Sequence, residues 1–339
     1  MQIHVTANRR VAIAAGMTAA SDVFAAKSKA MNFPGDHGIH AEFKNERWQF
    51  AGFVKSQNQP LGFQLTFNRT THGASQLWFA QASVTDTQSA RFWLDHRSES
   101  KQLSTRRTDP LKIADWTVDR VADAYQVSLT GKAFGINATV TSRQPVLLHG
   151  EDGILQTGPD ENAIKQQYSL VRSAVSGYLT MAGKKLAIGG DGWVNHEWHN
   201  MPPESEAPGF DGFAMNLFDG SFVSAFQTRD PSGNRLWDGG VLRTAKGQRF
   251  RFRRGTVVFS RQKVWRSPTT RGMYPVEWIV QTPADFYTVR ALVPNQEVDL
   301  RPASADVHWN GLSDLFDSNS NHIGRGYLEM NGYAQAKSI

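Results

Sequence analysis

The 339-residue chain contains no cysteine, which excludes disulfide bonds, thiolate metal sites and a cysteine nucleophile. No apolar stretch approaches the ~18 residues that a membrane-spanning helix needs, so the sequence predicts no membrane span. Charged residues are scarce, at 20% of the chain, and the formal net charge is only +6. Because no long run of like charges accompanies this modest excess, we predict no nucleic-acid partner.

Several common catalytic motifs are absent as well. The chain has no G-x-S-x-G nucleophile elbow, no P-loop and no glycine fingerprint of a dinucleotide-binding fold. We therefore predict no cofactor. Aromatic residues, in contrast, are plentiful, since 20 Phe, 10 Trp and 7 Tyr accompany 29 Gly. This composition favours pleated sheet and tight turns over helix bundles.

The amino-terminal segment has some features of a secretory signal. Residues 9–26 contain a basic pair, a short Ala-rich apolar stretch and a small-residue end. The apolar stretch is weak and polar residues interrupt it, so we favour a short Ala-rich helix instead. We assign residues 1–32 to an N-terminal extension with a short helical segment. Taken alone, this segment leaves the localisation of the protein open.

From residue 33 onward the chain shows short strands separated by turn residues. In GFQLTFN, at residues 62–68, Phe63, Leu65 and Phe67 alternate with polar residues, which is typical of a strand with one apolar face. Hairpin turns are predicted at residues 130–132, Thr-Gly-Lys, and at residues 219–220, Asp-Gly. Because helical periodicity is scarce here, the sequence predicts an all-β fold.

The chain also shows an internal repeat. The segment GYLTMAG at residues 177–183 matches GYLEMNG at residues 326–332 in five of seven positions, 149 residues apart. A unit of this size, built from short strands, corresponds to one eight-stranded up-and-down barrel that can enclose a small ligand. We therefore predict two antiparallel barrels in tandem, at residues 33–190 and 191–339.

Three segments resemble a known family. They are FPGDHGIHAEFKNERWQFAG at 33–52, LGFQLTFNRTTHGASQLWFAQASV at 61–84 and QYSLVRSAVSGYLTMAGKKLAIGGDGWVNHEW at 167–198. With PVLLHGEDG at 145–153 and the closing GYLEMNGYA, they are similar to the AttH and CrtC-like group. This lipocalin-related, two-domain family includes carotenoid 1,2-hydratases. The resemblance implies two lipocalin-like barrels, a lipophilic small-molecule ligand and an extracytoplasmic (periplasmic) location beside an ABC transporter component.

The match is closer to the AttH branch than to the hydratases. Hydratases carry a Gly-Tyr-Leu-Asp strand whose acidic residue is thought to help protonate a double bond, and residues 192–195 here read Gly-Trp-Val-Asn. An amide such as Asn195 cannot donate a catalytic proton as a carboxylic acid does. The His-Tyr-Trp run of the hydratases corresponds here to residues 168–170, Tyr-Ser-Leu. These departures argue against carotenoid hydration by the same residues.

The first candidate site is DHGIHAE at residues 36–42, followed by Glu46 and Trp48. His40 and Glu46 could exchange protons, and histidines near carboxylates are also potential metal ligands. In an extended segment they share one face with Glu42 and Trp48. The alternative is a polar cluster that closes one end of a barrel. We predict no metal, and we keep His40 and Glu46 as candidate catalytic residues and Trp48 as a ligand contact.

The second candidate site is WVNHEWH at residues 193–199. Alternation places Trp193, Asn195 and Glu197 on one face of a strand and His196 on the other. If the first face lines a barrel lumen, burial raises the pKa of Glu197 and makes it a candidate acid. Glu197 and His196 are therefore candidate catalytic residues, and Trp193 and Asn195 candidate ligand contacts.

A neighbouring strand offers an alternative role for Glu197. Arg172 and Tyr168 lie on that strand, and buried carboxylates are usually paired, so an ion pair between Glu197 and Arg172 is the structural interpretation. In the enzymatic interpretation, Tyr168 and Arg172 orient the acid–base residues. Both are retained as candidate ligand-binding residues.

A third set comprises polar and aromatic residues of the early strands. Gln64 could orient a ligand in a lumen by hydrogen bonds, while Trp78 supplies an apolar wall. Trp78 and Gln81 differ in parity, so on one regular strand only one of them faces inward. Gln64 and Trp78 are the candidate ligand contacts. His149, after an apolar run, is expected to cap a turn.

Three functions remain open from the sequence. The leading hypothesis is a binding protein that holds a hydrophobic or amphiphilic small molecule. The alternative is a cofactor-independent acid–base enzyme, of the hydratase or isomerase kind, acting on an isoprenoid or other lipophilic substrate. The third is a scaffold for a transporter component, which only the family resemblance suggests.

Overall fold

The structure is a computed structural model that describes residues 30–102, 106–202, 206–301, 303–304 and 306–334. In these ranges the chain forms β-strands and one 3₁₀ turn, Gly35–His37. The predicted all-β fold with two lipocalin-like sheets is confirmed. The helix predicted within residues 9–26 falls outside the described ranges. None of the described segments is a helix with the length and apolar character needed to cross a bilayer.

The first sheet contains twelve strands. These are β1 (Asn45–Ser56), β2 (Gln59–His72), β3 (Ser75–Asp86), β4 (Arg91–Gln102), β5 (Leu111–Ile113), β6 (Trp116–Val121), β7 (Ala124–Thr130), β8 (Phe134–Thr141), β9 (Leu147–Leu148), β10 (Ile154–Gln156), β11 (Ile164–Met181) and β12 (Lys184–His199). Ten follow the antiparallel order β4-β3-β2-β1-β12-β11-β8-β7-β6-β5, while β9 and β10 both pair with β11. The two ends approach each other, because Lys101 on β4 donates to the carbonyl of Lys112 on β5. The sheet is therefore a nearly closed barrel.

The second sheet repeats this plan in a more open form. Its part of the chain contains β13 (Gly209–Leu217), β14 (Phe222–Arg229), β15 (Arg235–Arg243), β16 (Arg249–Phe252), β17 (Val258–Arg261), β18 (Val264–Arg266), β19 (Met273–Pro275), β20 (Glu277–Gln281), β21 (Phe286–Ala291), β22 (Glu297–Asp299), β23 (Val307–Phe316) and β24 (His322–Asn331). The order is β16-β15-β14-β13-β24-β23-β21-β20-β17, with β22 beside β23. Strands β18 and β19 form a separate hairpin. This second sheet curves as a half-barrel.

The predicted turns are confirmed where they were expected. The Thr-Gly-Lys turn at residues 130–132 joins β7 to β8, and the Asp-Gly turn at 219–220 joins β13 to β14. The alternating segment at 62–68 lies within β2. Local turn residues and period-two patterning specify these hairpins, since both are encoded within a few residues.

The predicted domain boundary at residues 190/191 falls inside a strand. β12 pairs with β1 from Gly189 to His199, so its last residues belong to the first sheet. The second sheet begins at Gly209 on β13. The boundary between the two sheets thus lies between His199 and Gly209. The reason is that β12 completes the first sheet by pairing with β1 before the chain enters the second sheet.

The repeat is a repeat of topology, and the matched GYL segments do not occupy equivalent strands. Residues 177–181 lie on β11, whereas residues 326–331 lie on β24. β24 pairs with the opening strand of its sheet, as β12 does in the first sheet. The topological counterpart of β24 is therefore β12 and not β11. All strands of such sheets alternate apolar and polar residues. Two sequence segments can therefore match even when they lie on strands that are one position apart in the sheet order.

Large apolar side chains fill the interior of the first sheet. Trp48 and Phe50 on β1 point inward with Leu65 and Phe67 on β2, and all four are at most 1% exposed. A second apolar core lies inside the half-barrel. Residues of opposite parity on β1 and β2 therefore face away from the first core.

These outward-facing residues meet the second sheet. The hydroxyl of Tyr327 donates to the carbonyl oxygens of Gly52, at 3.1 Å, and Phe63, at 3.0 Å. Its ring packs edge-on against Trp193, with centroids 5.5 Å apart. Ala51 and Leu312 complete this buried apolar contact. The two sheets thus pack against each other through faces that a single barrel would expose.

Candidate functional site

Strands β1, β11 and β12 separate the predicted site residues onto two faces. His196 pairs with Trp48 on β1 and with Tyr168 on β11, and these three side chains point into the first sheet. Asn195 and Glu197 lie on the opposite face, toward the second sheet. The split agrees with the predicted alternation. It creates two distinct groups of polar residues rather than one.

The interior cluster consists of Glu46, His40, His196 and Arg69. The Glu46 carboxylate accepts from His40 Nδ1 at 2.8 Å and from His196 Nε2 at 2.9 Å. It also accepts from Arg69 Nε at 3.0 Å and from the main-chain N–H of His40. These four side chains are at most 3% exposed. A carboxylate with this many donors is strongly stabilised in its ionised form.

Aromatic rings hold the imidazoles of the interior cluster in place. His40 stacks on Trp198 at 3.7 Å between ring centroids, and His196 stacks on Trp48 at 4.6 Å. Tyr168 places its hydroxyl 3.2 Å from His196 Nδ1. Trp78 lies parallel to Trp48 at 5.9 Å. The predicted residues Trp48, Trp78 and Tyr168 therefore pack around the cluster.

Charge in the interior cluster is settled by its hydrogen bonds. Burial by itself would raise the pKa of Glu46, but hydrogen bonds from His196 and His40 overcome burial and lower that pKa to about 2. Burial also lowers the pKa of His196, against the attraction of Glu46. Glu46 and Arg69 then form a buried ion pair at neutral pH.

The interior cluster also contains a possible metal-ligand set. One ligand atom each from His40, Glu46 and His196 lies within 4.8 Å of the others. However, Glu46 Oε1 accepts hydrogen bonds from both imidazoles, and Glu46 Oε2 accepts one from Arg69. The potential ligand atoms are therefore already hydrogen-bonded to one another or to Arg69. A guanidinium beside the carboxylate also opposes a second cation. We interpret the set as a structural ion-pair network.

The second group borders a cavity between the two sheets, hereafter the inter-sheet cavity. Its volume is about 290 Å³. The polar lining comes mostly from β1, β11 and β12, and the apolar lining mostly from the second sheet. The polar side chains include Arg47, Gln49, His149, Lys165, Gln167, Ser169, Asn195, Glu197, Asn310 and Glu329. The apolar side chains include Leu155, Trp193, Phe210, Phe213, Phe222, Phe226 and Tyr327.

A hydrogen-bonded row crosses the polar wall of this cavity. Gln167 Nε2 donates to Asn195 Oδ1 at 2.8 Å, and Ser169 Oγ lies 2.9 Å from the same oxygen. Ser169 Oγ is also 2.7 Å from His149 Nε2. Burial lowers the pKa of His149 to about 3, so the imidazole is neutral at pH 7. The row thus presents neutral donors and acceptors to the cavity.

Two ion pairs flank this row. Glu197 Oε2 accepts from Lys165 Nζ at 2.7 Å, and Arg47 donates to Glu329 across the two sheets at 3.0 Å. Burial alone would raise the pKa of Glu197, but the charges of Lys165 and Arg47 lower it to about 2. The expected upward shift is therefore wrong. Because Glu197 is ionised at neutral pH, it cannot serve there as a proton donor.

Arg172 is not the partner of Glu197. β11 has an irregularity between Leu170 and Ser173, and Arg172 sits in it with a φ of 57°. Its guanidinium donates to the carbonyl of Leu217 on β13 at 2.8 Å. Arg172 thus links the two sheets and does not line the inter-sheet cavity. A bulge reorients a side chain in a way that regular alternation does not predict.

Gln64 and Gln81 lie on the face that meets the second sheet. Gln64 Nε2 donates to Asn310 Oδ1 at 2.7 Å, and Gln81 Nε2 is 3.2 Å from His308 Nε2. The lumen position considered for Gln64 is therefore incorrect. Trp78 points inward instead, so the parity argument that separated it from Gln81 holds.

Comparison with known proteins now identifies the family. Residues 25–333 match the family model described as AttH-like. The chain belongs to the AttH-like family. A Nitrosomonas europaea structure, provisionally named as an AttH, shares 30% identity over 91% of this chain and 98% of that one, with a TM-score of 0.84. No curated protein sequence matches the chain.

Two more distant structures share the AttH-like architecture. Kievitone hydratase from Nectria haematococca is 13% identical, covering 93% of this chain and 96% of that one, with a TM-score of 0.71. CghA, solved with Sch210972, is also 13% identical, covering 87% and 89%, with a TM-score of 0.56. At this identity the two likenesses show the fold alone.

Several residues that line the inter-sheet cavity were not predicted from the sequence. They include Lys165, Gln167 and Ser169, and His149 was expected only to cap a turn. His149 does accompany a turn, since its carbonyl accepts from Gly153 N–H at 2.9 Å, but its ring borders the cavity. Strand register decides the position of two of them, because β11 places Ser169 opposite Asn195 and Gln167 opposite Glu197. Register between strands is not readable from one sequence.

Proposed function

We propose that this AttH-like protein binds a small amphiphilic molecule in the inter-sheet cavity. The observation that carries the proposal is the division of its lining. The row formed by Asn195, Ser169 and His149 faces phenylalanines of the second sheet, among them Phe210 and Phe226. Apolar walls supply most of the binding free energy of such sites, and a few polar groups fix the orientation of the ligand.

The size of the cavity limits the ligand. A volume of about 290 Å³ lies at the lower end of the range of roughly 300–1,000 Å³ for small-molecule sites. This favours a compact hydrophobic or amphiphilic molecule. The filled interior of the first sheet, with Trp48 and Phe50 almost wholly buried, supports the inter-sheet location over a site within that barrel.

A filled-cavity variant tests the proposal. Ser224 lines the cavity from β14, so Ser224→Phe should weaken binding of the neutral probe Nile red about tenfold or more by occupying its space. Ser128 is exposed on β7, so Ser128→Phe is the matched control. Fluorescence titration gives both affinities. Equal affinity in Ser224→Phe and wild type would refute the cavity as the site, as would failure of wild type to bind.

A second candidate is a cofactor-independent acid–base enzyme on a lipophilic substrate. The observation that favours it is His149, a neutral imidazole that borders the cavity 2.7 Å from Ser169 Oγ. A neutral imidazole can accept a proton from a substrate or a water, although a pKa of about 3 makes His149 a weaker base than an exposed histidine. The candidates His40, Glu46 and His196 support it less well, because they are enclosed in the interior cluster.

Isoprenoid turnover separates the two candidates. Hydration of the isoprenoid enal citral, followed by gas chromatography, should be lost in His149→Gln and retained in His72→Gln, which replaces an exposed histidine. In this reaction His149 takes a proton from water as the oxygen bonds to the β-carbon, and returns it to the α-carbon. Nile red affinity should stay within about twofold in both variants, because neither change fills the cavity. Equal rates in wild type and His149→Gln, or no turnover in wild type, would remove the enzymatic candidate and leave the binding function.

The location and transporter partner implied by the family are also proposals. We propose an extracytoplasmic (periplasmic) location beside an ABC transporter component, which rests on the family resemblance alone. Fractionation of cells expressing the full chain tests the location, and affinity capture from the membrane fraction tests the partner. Recovery solely from the cytoplasm, without a transporter component, would contradict both.

A further inference from the structure

A second cavity of about 490 Å³ adjoins the inter-sheet cavity. Gly150, Leu155, Phe226 and Gly240 line both cavities, so the two spaces lie side by side along these residues. The second cavity lies between the β9–β10 segment of the first sheet and β15–β16 of the second. The second cavity therefore lies directly beside the proposed binding site.

Four arginines line the second cavity, and we call them the arginine rim: Arg249, Arg251, Arg253 and Arg254. Arg249 and Arg251 alternate with phenylalanines on β16, and Phe252 packs into the apolar core of the second sheet. Alternation therefore directs these arginines away from that core. The guanidinium of Arg254 lies 4.3 Å from the ring centre of Trp237, another lining residue, which restrains it at the cavity wall.

The acidic residues beside the rim are either committed to the fold or exposed to solvent. Asp238 is buried and accepts from the main-chain N–H groups of Gly255, at 2.8 Å, and Val257, at 2.9 Å, so its charge stabilises a turn. Glu151 pairs with Arg251, but both side chains are about two-fifths exposed. Arg249 pairs with Asp152 at 3.4 Å, and the Asp152 side chain is 76% exposed. Exposed ion pairs of this kind contribute little stability, so an incoming anion can replace Glu151.

We propose that the ligand of the inter-sheet cavity is an anionic amphiphile whose head group binds the arginine rim. This inference rests on the proposed function. A guanidinium binds carboxylates and phosphates through paired N–H donors, and Phe226 and Leu155 provide apolar wall on the path between rim and cavity. The neutral row at Asn195 faces the other end of the ligand. Carboxylate and phosphate ligands of this kind share one anionic head group and an apolar tail.

Displacement of Nile red by ten-carbon amphiphiles tests the proposal. Wild type should release the probe to decanoate at a concentration about tenfold or more below that needed for decanol. In Arg251→Gln/Arg254→Gln, which keeps two of the four arginines, the two concentrations should differ by less than about threefold, with the decanol value unchanged. Arg91→Gln, an exposed arginine on β4, is the control and should keep the wild-type ratio. Decyl phosphate distinguishes a phosphate head from a carboxylate head.

The outcomes separate this inference from the proposed function. A decanoate preference that keeps its wild-type size in the double variant, or that is missing in wild type while decanol still displaces the probe, would overturn the anionic head group alone. Displacement of Nile red by neither decanol nor decanoate would overturn the cavity function and this inference together. A preference that weakens at 0.5 M NaCl supports the rim, since salt screens exposed charge. Circular dichroism confirms that each variant is folded.

Discussion

Replacing Arg69 by methionine should lower the free energy of unfolding by about 3–5 kcal/mol, because the change leaves a buried carboxylate without its cation. Arg69 is fully buried, and its Nε donates to Glu46 at 3.0 Å. The same guanidinium donates to the carbonyls of His40 and Phe43, at 2.8 and 2.9 Å. It thus ties the segment before β1 to β2. Urea denaturation followed by circular dichroism measures the loss.

A double-mutant cycle distinguishes the ion pair from simple loss of packing. In the Arg69→Met background, Glu46→Gln should cost much less than it does in wild type, since the carboxylate has by then already lost its cation. Arg91→Met, at an exposed position on β4, should change stability by less than about 0.5 kcal/mol. A loss below about 1 kcal/mol in Arg69→Met, or additive effects in the cycle, would contradict a structural role for the interior cluster.

Acidification should destabilise the protein from about pH 6.5 downward. Burial lowers the folded-state pKa of His149 to about 3 and that of His37 to about 4. Below about pH 6.5 these histidines are therefore protonated in the unfolded chain and neutral in the folded chain. The free energy of unfolding decreases as the pH falls from 6.5 to the folded-state pKa. Each such histidine contributes a slope of about 1.4 kcal/mol per pH unit within its window. Unfolding free energies at pH 7.5, 6 and 5 measure the slope.

Two carboxylates extend this acid sensitivity. Glu46 and Glu197 have folded-state pKa values of about 2, below the ordinary value near 4.5. Their stabilisation is complete above about pH 4.5 and is lost as pH falls toward 2.

His149→Gln should reduce the slope between pH 6.5 and 4 by about 1.4 kcal/mol per pH unit, while His72→Gln leaves it unchanged. A wild-type slope near zero between pH 6.5 and 5 would contradict the burial of neutral histidines.

Much of the fold was predictable because its signals are local. The turns at residues 130–132 and 219–220 and the alternation at 62–68 each occupy a few residues, and the structure confirms them. The boundary between the two sheets was harder to predict from the sequence. β12 crosses residue 190, because its place in the sheet depends on pairing with β1, more than a hundred residues earlier.

The candidate site was predictable in part. Parity correctly grouped Asn195 with Glu197 and separated them from His196. Parity does not say which face of a strand is enclosed, so Gln64 was placed in a lumen although it meets the second sheet. The partner of Glu197 was also out of reach, since a bulge turns Arg172 away and register brings Lys165 close.

The amino-acid sequence by itself determined the all-β class, the hairpins, the family and the two-sided character of β12, since each of these depends on neighbouring residues or on motif order. Tertiary structure alone decided that Glu46, Arg69 and His196 share one buried network, and that His149 and Ser169 face Phe226 across a cavity. The physical reason is that strand register and the packing of one sheet on another depend on the whole chain. No local pattern encodes which distant side chains that packing brings within a few ångströms.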